Sequence, residues 1–133
     1  MKSLSFILML GGLLACKKND ASPSQIFDLV YQQPTTIAAS GPVQATFTTI
    51  NDSRCPSDVV CITGGTMAVT VTFSGAGPSQ SARLGYDRSY ALDSALVTLH
   101  SQAYWLRLLA VNPYPSTKNG SLPRTATLRL RPQ

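Results

Sequence analysis

Large apolar side chains alternate with small or polar ones along much of this chain, and this period of two limits its fold more than any other feature. The clearest case runs from Met67 to Phe73, where every second residue is large and apolar and the residues between are Ala or Thr. Successive side chains of a strand point to opposite faces, so the pattern predicts a strand with one buried and one exposed face.

Turn signals divide the chain into further short segments of this kind. Pro34 is expected to end the first strand, the run from Gly75 to Ser79 predicts a hairpin turn, and Asn112-Pro113 ends the most apolar segment. We predict an all-β protein, a single antiparallel β-sandwich that is either immunoglobulin-like or an open barrel. Its seven short strands are expected near residues 27–31, 43–48, 67–73, 80–84, 96–100, 104–111 and 125–131.

Two of these strands carry specific expectations. The segment from Tyr104 to Val111 is apolar on both faces apart from Arg107, which predicts a central strand covered on both sides. Tyr104 and Trp105 are interpreted as core and sheet-face packing rather than as a ligand platform. In the last strand, Ala126, Leu128 and Leu130 are expected to face inward, and Thr125, Thr127, Arg129 and Arg131 outward.

The first sixteen residues have a different pattern. Lys2 provides a positive start, and an apolar run follows that ends in Leu13-Leu14-Ala15-Cys16. A helix of about twelve residues rises only about 18 Å, too short for a hydrocarbon core of about 30 Å, so the segment is typical of a secretory signal. The tetrad resembles the lipobox of bacterial lipoproteins, whose cysteine is acylated and becomes the mature N-terminus. The alternative is an ordinary signal peptide with an incidental cysteine.

This resemblance implies a lipoprotein of the bacterial cell envelope, with the membrane as a partner through a lipid on Cys16. The chain then divides into a signal peptide (1–15), the lipidated cysteine with a flexible tether (16–25) and a β-sandwich domain (26–133). Lys17 stands where retention in the inner membrane typically needs Asp, which favours the outer membrane, on either its periplasmic face or the cell surface.

Three cysteines are an odd number, which in an exported protein normally leaves a free thiol. If Cys16 is lipidated, Cys55 and Cys61 remain as a pair in an oxidising compartment, and we predict a disulfide between them. The alternative is a metal site built from both thiolates and His100, which would supply only three ligands. No metal and no cofactor is predicted.

The predicted disulfide lies in a recognisable segment, Asp52-Ser53-Arg54-Cys55-Pro56, followed by Val59-Val60-Cys61. The segment resembles a motif of small exported bacterial domains of unassigned function. Those domains continue with an aromatic residue, typically Trp, whereas this chain has Ile62 and keeps the glycine that follows. Val111-Asn112-Pro113-Tyr114-Pro115 is similar to their late strand and its exit, so the likeness spans residues 44–131. It implies a β-sandwich-like domain and no known activity.

The sequence leaves three interpretations of this segment open. Turn-forming residues and Pro56 predict that the disulfide loop, here called the knuckle, is rigid and polar and stabilises a small core, with Arg54 paired to Asp52 or Asp58. Alternatively, Asp52, Arg54 and Asp58 form a recognition loop, and a braced Arg54 is offered to a trypsin-like protease as an inhibitor would offer it. A calcium site on Asp52 and Asp58 would fall well short of the roughly six to eight oxygens that calcium takes.

The formal net charge is +5, and every acidic residue is Asp. Because no Lys/Arg run with interleaved aromatic residues occurs, no nucleic-acid partner is predicted. If the strands near 104–111 and 125–131 pair, Arg107, Arg129 and Arg131 form a basic stripe that suits an acidic polymer or lipid phosphates. Edge-strand protection is the interpretation that the sequence favours, since charges on an edge strand prevent association between sheets.

Catalytic signals are weak. A Ser-His-Asp set could be assembled from Ser94 or Ser101 with His100 and Asp93, but no nucleophile elbow is present and adjacent strand residues point to opposite faces. Asp87 with Asp93, the remaining carboxylate pair, lies in a turn-rich segment. We therefore predict no enzyme but a non-catalytic binding or structural module, with an envelope protein or an acidic polymer as its partner. An envelope hydrolase is the remaining alternative.

Overall fold

The computed structural model describes residues 23–86 and 91–133. Every regular element in these two ranges is a β-strand, so the predicted all-β class is confirmed. The predicted signal peptide (1–15), Cys16 and Asp87 lie outside the described residues. The strands are β1 (Gln25–Val30), β2 (Pro34–Ala38), β3 (Pro42–Asp52), β4 (Met67–Ser74), β5 (Gln80–Tyr86), β6 (Ala91–Leu92), β7 (Ser94–Leu99), β8 (Gln102–Asn112) and β9 (Thr125–Pro132).

These strands form two antiparallel sheets. The four-stranded sheet has the order β1-β9-β8-β7, and the five-stranded sheet has the order β2-β3-β4-β5-β6, with the two-residue β6 at its edge. The chain begins in the four-stranded sheet, forms all of the other sheet and then returns, so that β1 pairs with β9. The predicted antiparallel sandwich is therefore confirmed, as two separate sheets rather than an open barrel.

The inner faces of the two sheets supply the core. The four large apolar residues of β4 are at most 4% exposed, as their alternation predicted. The rings of Tyr31 and Phe47 meet edge to face with their centroids 5.3 Å apart, which joins the end of β1 to the five-stranded sheet. The largest of the other fully buried side chains are Leu29, Val43, Leu84, Leu99, Tyr104, Leu106, Leu128 and Leu130.

The prediction that β8 is covered on both faces is wrong. This strand is central in its sheet, hydrogen-bonded to β7 on one side and β9 on the other. Its side chains alternate, however, and Trp105 and Leu109 are each 39% exposed. Because one face of an antiparallel sheet can remain in solvent, an apolar run alone does not require two covering layers.

Two strands and one turn differ from the prediction. Pro34 was expected to end a strand but is the first residue of β2, an edge strand, where a missing N–H costs no ladder bond. The short β6 was not predicted. His100 was expected to lie in a strand, but β7 ends at Leu99, and His100 and Ser101 form a two-residue turn with φ of 49° and 63°.

The sandwich has two distinct ends. One, the entry end, holds the start of β1 at Gln25 and the turns at 39–41, 75–79 and 100–101. Contacts join these turns, because the His100 backbone N–H donates to the Ala76 carbonyl and the His100 imidazole lies 3.1 Å from the Pro42 carbonyl oxygen. The other, the knuckle end, holds the loops at 53–66 and 113–124. The chain therefore enters the domain opposite the disulfide loop.

Candidate functional site

The predicted disulfide is present at the knuckle end. Cys55 and Cys61 are bonded, with their Cα atoms 5.8 Å apart, so neither supplies a thiolate for the alternative metal site. The Ser57 N–H donates to the Pro115 carbonyl at 2.9 Å, and the Thr117 N–H donates to the Asp58 carboxylate at 3.0 Å. The ring thus packs against the loop at 113–124, and the hydrogen bonds from Thr117 hold the pKa of Asp58 below its ordinary value.

Arg54 lies beneath this ring in a dense set of contacts. Its Nε and Nη2 atoms donate to the two carboxylate oxygens of Asp52 at 2.8 and 2.7 Å, a bidentate pair. Nη2 also donates to the Val111 carbonyl at 3.2 Å, and the guanidinium lies 4.5 Å from the ring centroid of Tyr114. Arg124 adds a second cation, with Nη1 at 3.4 Å from Asp52 Oδ2.

The interpretation of Arg54 as a presented charge is wrong, because the residue is only 8% exposed. Of the three residues of the proposed recognition loop, only Asp58 is exposed, and its carboxylate anchors the neighbouring loop. Burial raises the pKa of Asp52, but the hydrogen bonds and charge of Arg54, together with the charge of Arg124, outweigh it and leave that pKa below its ordinary value. With Asp52 and Asp58 in separate contacts, the structure brings together no calcium pair.

The knuckle is less polar than its sequence suggested. Val60 and Ile62 are fully exposed at its tip, and Val59 is 45% exposed. Gly65 closes the loop at a φ of 69°, and a Cβ there would lie 1.8 Å from the Ser53 carbonyl oxygen. The backbone needs glycine at this position, which accounts for the second glycine of the Gly64-Gly65 pair.

The predicted basic stripe is brought together on the outer face of the four-stranded sheet. Arg107 of β8 lies directly opposite Arg129 of β9, and Trp105 lies directly opposite Arg131. Residues opposite each other in antiparallel strands share a face, so all four side chains point outward together. We call this surface, defined by Trp105, Arg107, Arg129 and Arg131, the arginine face.

Edge protection does not explain these arginines. Both β8 and β9 are interior strands with a hydrogen-bonded neighbour on each side, and the edges of this sheet are β1 and β7. A charge in the middle of a sheet blocks no open edge. The interpretation that the sequence favoured is therefore wrong for this surface, because it depended on a strand order that only the tertiary structure provides.

The arginine face places two like charges directly opposite each other. Like charges directly opposite in a sheet are destabilising, and Arg107 and Arg129 form such a pair. Asp93 lies 3.0 Å from Arg107 in an exposed ion pair, and the Asp28 carboxylate accepts a hydrogen bond from Thr127. Within residues 23–86 and 91–133, neither Arg129 nor Arg131 makes an ion pair. The face therefore carries positive charge that the described residues do not neutralise.

A shallow groove of about 250 Å³ follows this face. Trp105 lies in it rather than in the core, so the interpretation of this residue as packing alone is incomplete, whereas Tyr104 is buried as predicted. The signal that could have placed Trp105 here is its spacing of two from Arg107, which assigns both to one face. The groove is lined by Ser24, Ser94, Trp105, Arg107, Arg129 and Arg131.

His100 lies at the entry end, beside a second depression of about 530 Å³. Asp93 precedes β7 and His100 follows it, so the length of a strand separates the members of the Ser-His-Asp set considered above. Two polar side chains of this depression already have partners: the Gln80 amide bonds to the backbone of Thr98, and the His100 imidazole contacts Pro42. The structure thus assembles no triad from these residues.

In the described ranges, no group of three or more His, Cys, Asp or Glu side chains is placed to hold a metal, and no helix has the length and apolarity to cross a membrane. The chain matches no family model, no curated protein and no solved structure. The arginine face is therefore the feature from which a function is inferred.

Proposed function

We propose that this protein is a non-catalytic binding module of the bacterial cell envelope, anchored through a lipid on Cys16, whose arginine face binds an acidic polymer. The observation that carries the proposal is the direct opposition of Arg107 and Arg129 on two interior strands. A like-charge pair lowers stability, and on interior strands it protects no sheet edge. Binding of an anion by the two guanidinium groups would explain why both arginines are present.

The groove geometry supports binding of an extended ligand. Arg129 and Arg131 are two residues apart on β9, about 6.8 Å along a strand, and Arg107 lies beside Arg129 on β8. Guanidinium groups donate two parallel hydrogen bonds to a carboxylate or phosphate, which favours anions over neutral ligands. Since the face is open along both strands, several anionic groups of one polymer can bind at once.

The anchor is supported by the sequence and by where the chain enters the domain. The residues that resemble a lipobox precede β1 by only a short polar segment, and β1 starts at the entry end. Ser24, the last residue before β1, lines the groove of the arginine face. A domain tethered there would hold its arginine face close to the membrane to which it is attached.

We expect substitution of Arg129 and Arg131 to weaken polymer binding without loss of stability. Arg129→Gln with Arg131→Gln should reduce the affinity for dextran sulfate at least about tenfold, because each charged hydrogen bond contributes roughly 1.5–3 kcal/mol. The thermal midpoint should stay the same or rise, since Arg129→Gln removes the like-charge pair. Calorimetric titration and thermal unfolding measure the two effects.

Arg83→Gln is the matched control, because Arg83 is an exposed arginine on β5 of the other sheet. It should leave the affinity within about twofold of the wild type. Equal binding by all variants, or no binding of dextran sulfate over neutral dextran, would contradict the proposed function.

The proposed lipid on Cys16 leads to a separate prediction about membrane association. Full-length Cys16→Ser, which lacks the thiol that is acylated, should move from the membrane fraction to the soluble fraction of the envelope, because several acyl chains hold a protein firmly and none remain. Metabolic labelling with a fatty acid should mark the wild type only. Labelling of the variant would show that the lipid is elsewhere, and unchanged fractionation without any label would show that the domain is held by other contacts.

A further inference from the structure

The arginine face combines charge with an exposed aromatic ring, and this combination narrows the class of polymer. We infer that its ligand is a carboxylated polysaccharide, an inference that rests on the proposed function and specifies the ligand of the same site. Trp105 is 39% exposed in the middle of a sheet, between Leu96 of β7 and Arg131 of β9. A ligand made only of anionic groups would leave this apolar surface uncovered.

The side chains form two parallel rows across the sheet. Leu96, Trp105 and Arg131 are successive cross-strand partners in one row, and Leu96 is 51% exposed beside the indole. The other row consists of Ile26, Arg129, Arg107 and Ser94, which are also successive partners. A row with two apolar side chains and Arg131 thus lies next to a row that holds the other two arginines, at the spacing of two residues along each strand.

A chain of acidic sugars matches both rows. The C–H groups on one face of a pyranose ring pack against the negative face of an aromatic ring, which suits the exposed indole of Trp105. A carboxylate on the ring edge accepts two parallel hydrogen bonds from a guanidinium, which suits Arg129 and Arg131. Ser24 and Ser94 line the same groove and present hydroxyl groups that can pair with those of a sugar.

The strand pairing also favours this ligand over a small anion. Side chains from three adjacent strands line the groove, and the pairing of β8 with β9 positions the four residues that define the arginine face. A backbone that is fixed before the ligand arrives lowers the cost of ordering on binding. Several sugar residues can lie along the groove, whereas a single phosphate would occupy only one guanidinium pair.

Trp105 is the single tryptophan of the chain, so tryptophan emission, excited selectively over that of the tyrosines, reports on this face. Titration of the purified protein with polygalacturonate should change the intensity and wavelength of Trp105 emission. Fully methyl-esterified polygalacturonate, which has the same rings without charge, should bind at least about tenfold more weakly because the guanidinium contacts are lost. Polyphosphate at equal charge concentration should bind more weakly and leave the emission near its unbound value.

Two variants distinguish the contribution of the Trp105 ring to binding from that of the arginine charge. Trp105→Leu, measured by calorimetry, should weaken polygalacturonate binding about tenfold and change polyphosphate binding less than about twofold. Arg129→Gln should weaken binding of both polymers. Thermal unfolding of each variant verifies that the sheet is intact.

The outcomes distinguish this inference from the proposed function. Equal affinity for polyphosphate and polygalacturonate, or unchanged polygalacturonate binding by Trp105→Leu, would overturn the sugar as ligand while anion binding by the arginine face stands. Failure of every polyanion to bind, with Arg129→Gln indistinguishable from the wild type, would overturn both.

Discussion

Replacing Arg54 with Ala is expected to lower the free energy of unfolding by about 3 kcal/mol. The substitution leaves the buried carboxylate of Asp52 with only the more distant cation of Arg124, and it deprives the Val111 carbonyl of the Nη2 donor. It also removes the guanidinium that packs on Tyr114. Removing one partner of a buried ion pair is costly because the remaining charge has lost its compensation without regaining water.

Urea unfolding of the purified protein measures this loss of stability, and a matched substitution at an exposed arginine gives the value for comparison. Arg83→Ala removes the same side chain from an exposed position on β5 and should change stability by less than about 0.5 kcal/mol. Arg54→Lys should fall between, because an ammonium keeps the charge but cannot form the two parallel bonds to Asp52. Equal stability of Arg54→Ala and Arg83→Ala would show that the Arg54 contacts contribute nothing net.

Loss of the disulfide is expected to have the next largest effect. Replacing both Cys55 and Cys61 with Ser should lower the free energy of unfolding by about 2 kcal/mol, because the bridge closes a ring between residues six apart in sequence and restricts the unfolded chain. The ring has no core to stabilise it independently, since residues 57–64 are all exposed. Chemical unfolding with and without a reductant measures the same difference in the wild type.

Val60→Ser is the control inside the ring. Its side chain is fully exposed, so the substitution should leave stability within about 0.5 kcal/mol of the wild type while the covalent closure is kept. Combining Arg54→Ala with loss of the disulfide should cost less than the sum of the two, because both act on the same loop. A strictly additive result would indicate that the ring and the ion pair stabilise the protein independently.

The alternation of apolar residues predicted most of the fold. It placed β4 and β9 correctly, including which residues face the core, because burial on one face alone produces a period of two. It failed at β2, where Pro34 reads as a terminator but begins an edge strand. It also failed at β8, where Leu109 and Trp105 are apolar but exposed, since composition does not reveal which face a second sheet covers.

The sequence predicted which arginines share a surface but not the physical reason for their position. The spacing of Arg129 and Arg131 assigned both to one face, and Arg107 lies beside them as predicted. The sequence favours edge protection because it does not contain the order of strands. For Arg54 the sequence supplied Asp52 as one of two partners, but Val111 of β8 and Tyr114 and Arg124 of the loop at 113–124, which complete the contacts of this ion pair, lie far along the chain.

Local chemistry thus determined the strands, their inward faces and the disulfide, because each depends on residues close in sequence or on a single pair of cysteines. Tertiary structure alone decided that Arg54 is buried, that the arginines lie on interior strands and that Trp105 shares their groove. These facts depend on which strands become neighbours and which face is left to solvent. Such pairing joins residues distant in sequence, and its energy is a property of the assembled sandwich rather than of any one segment.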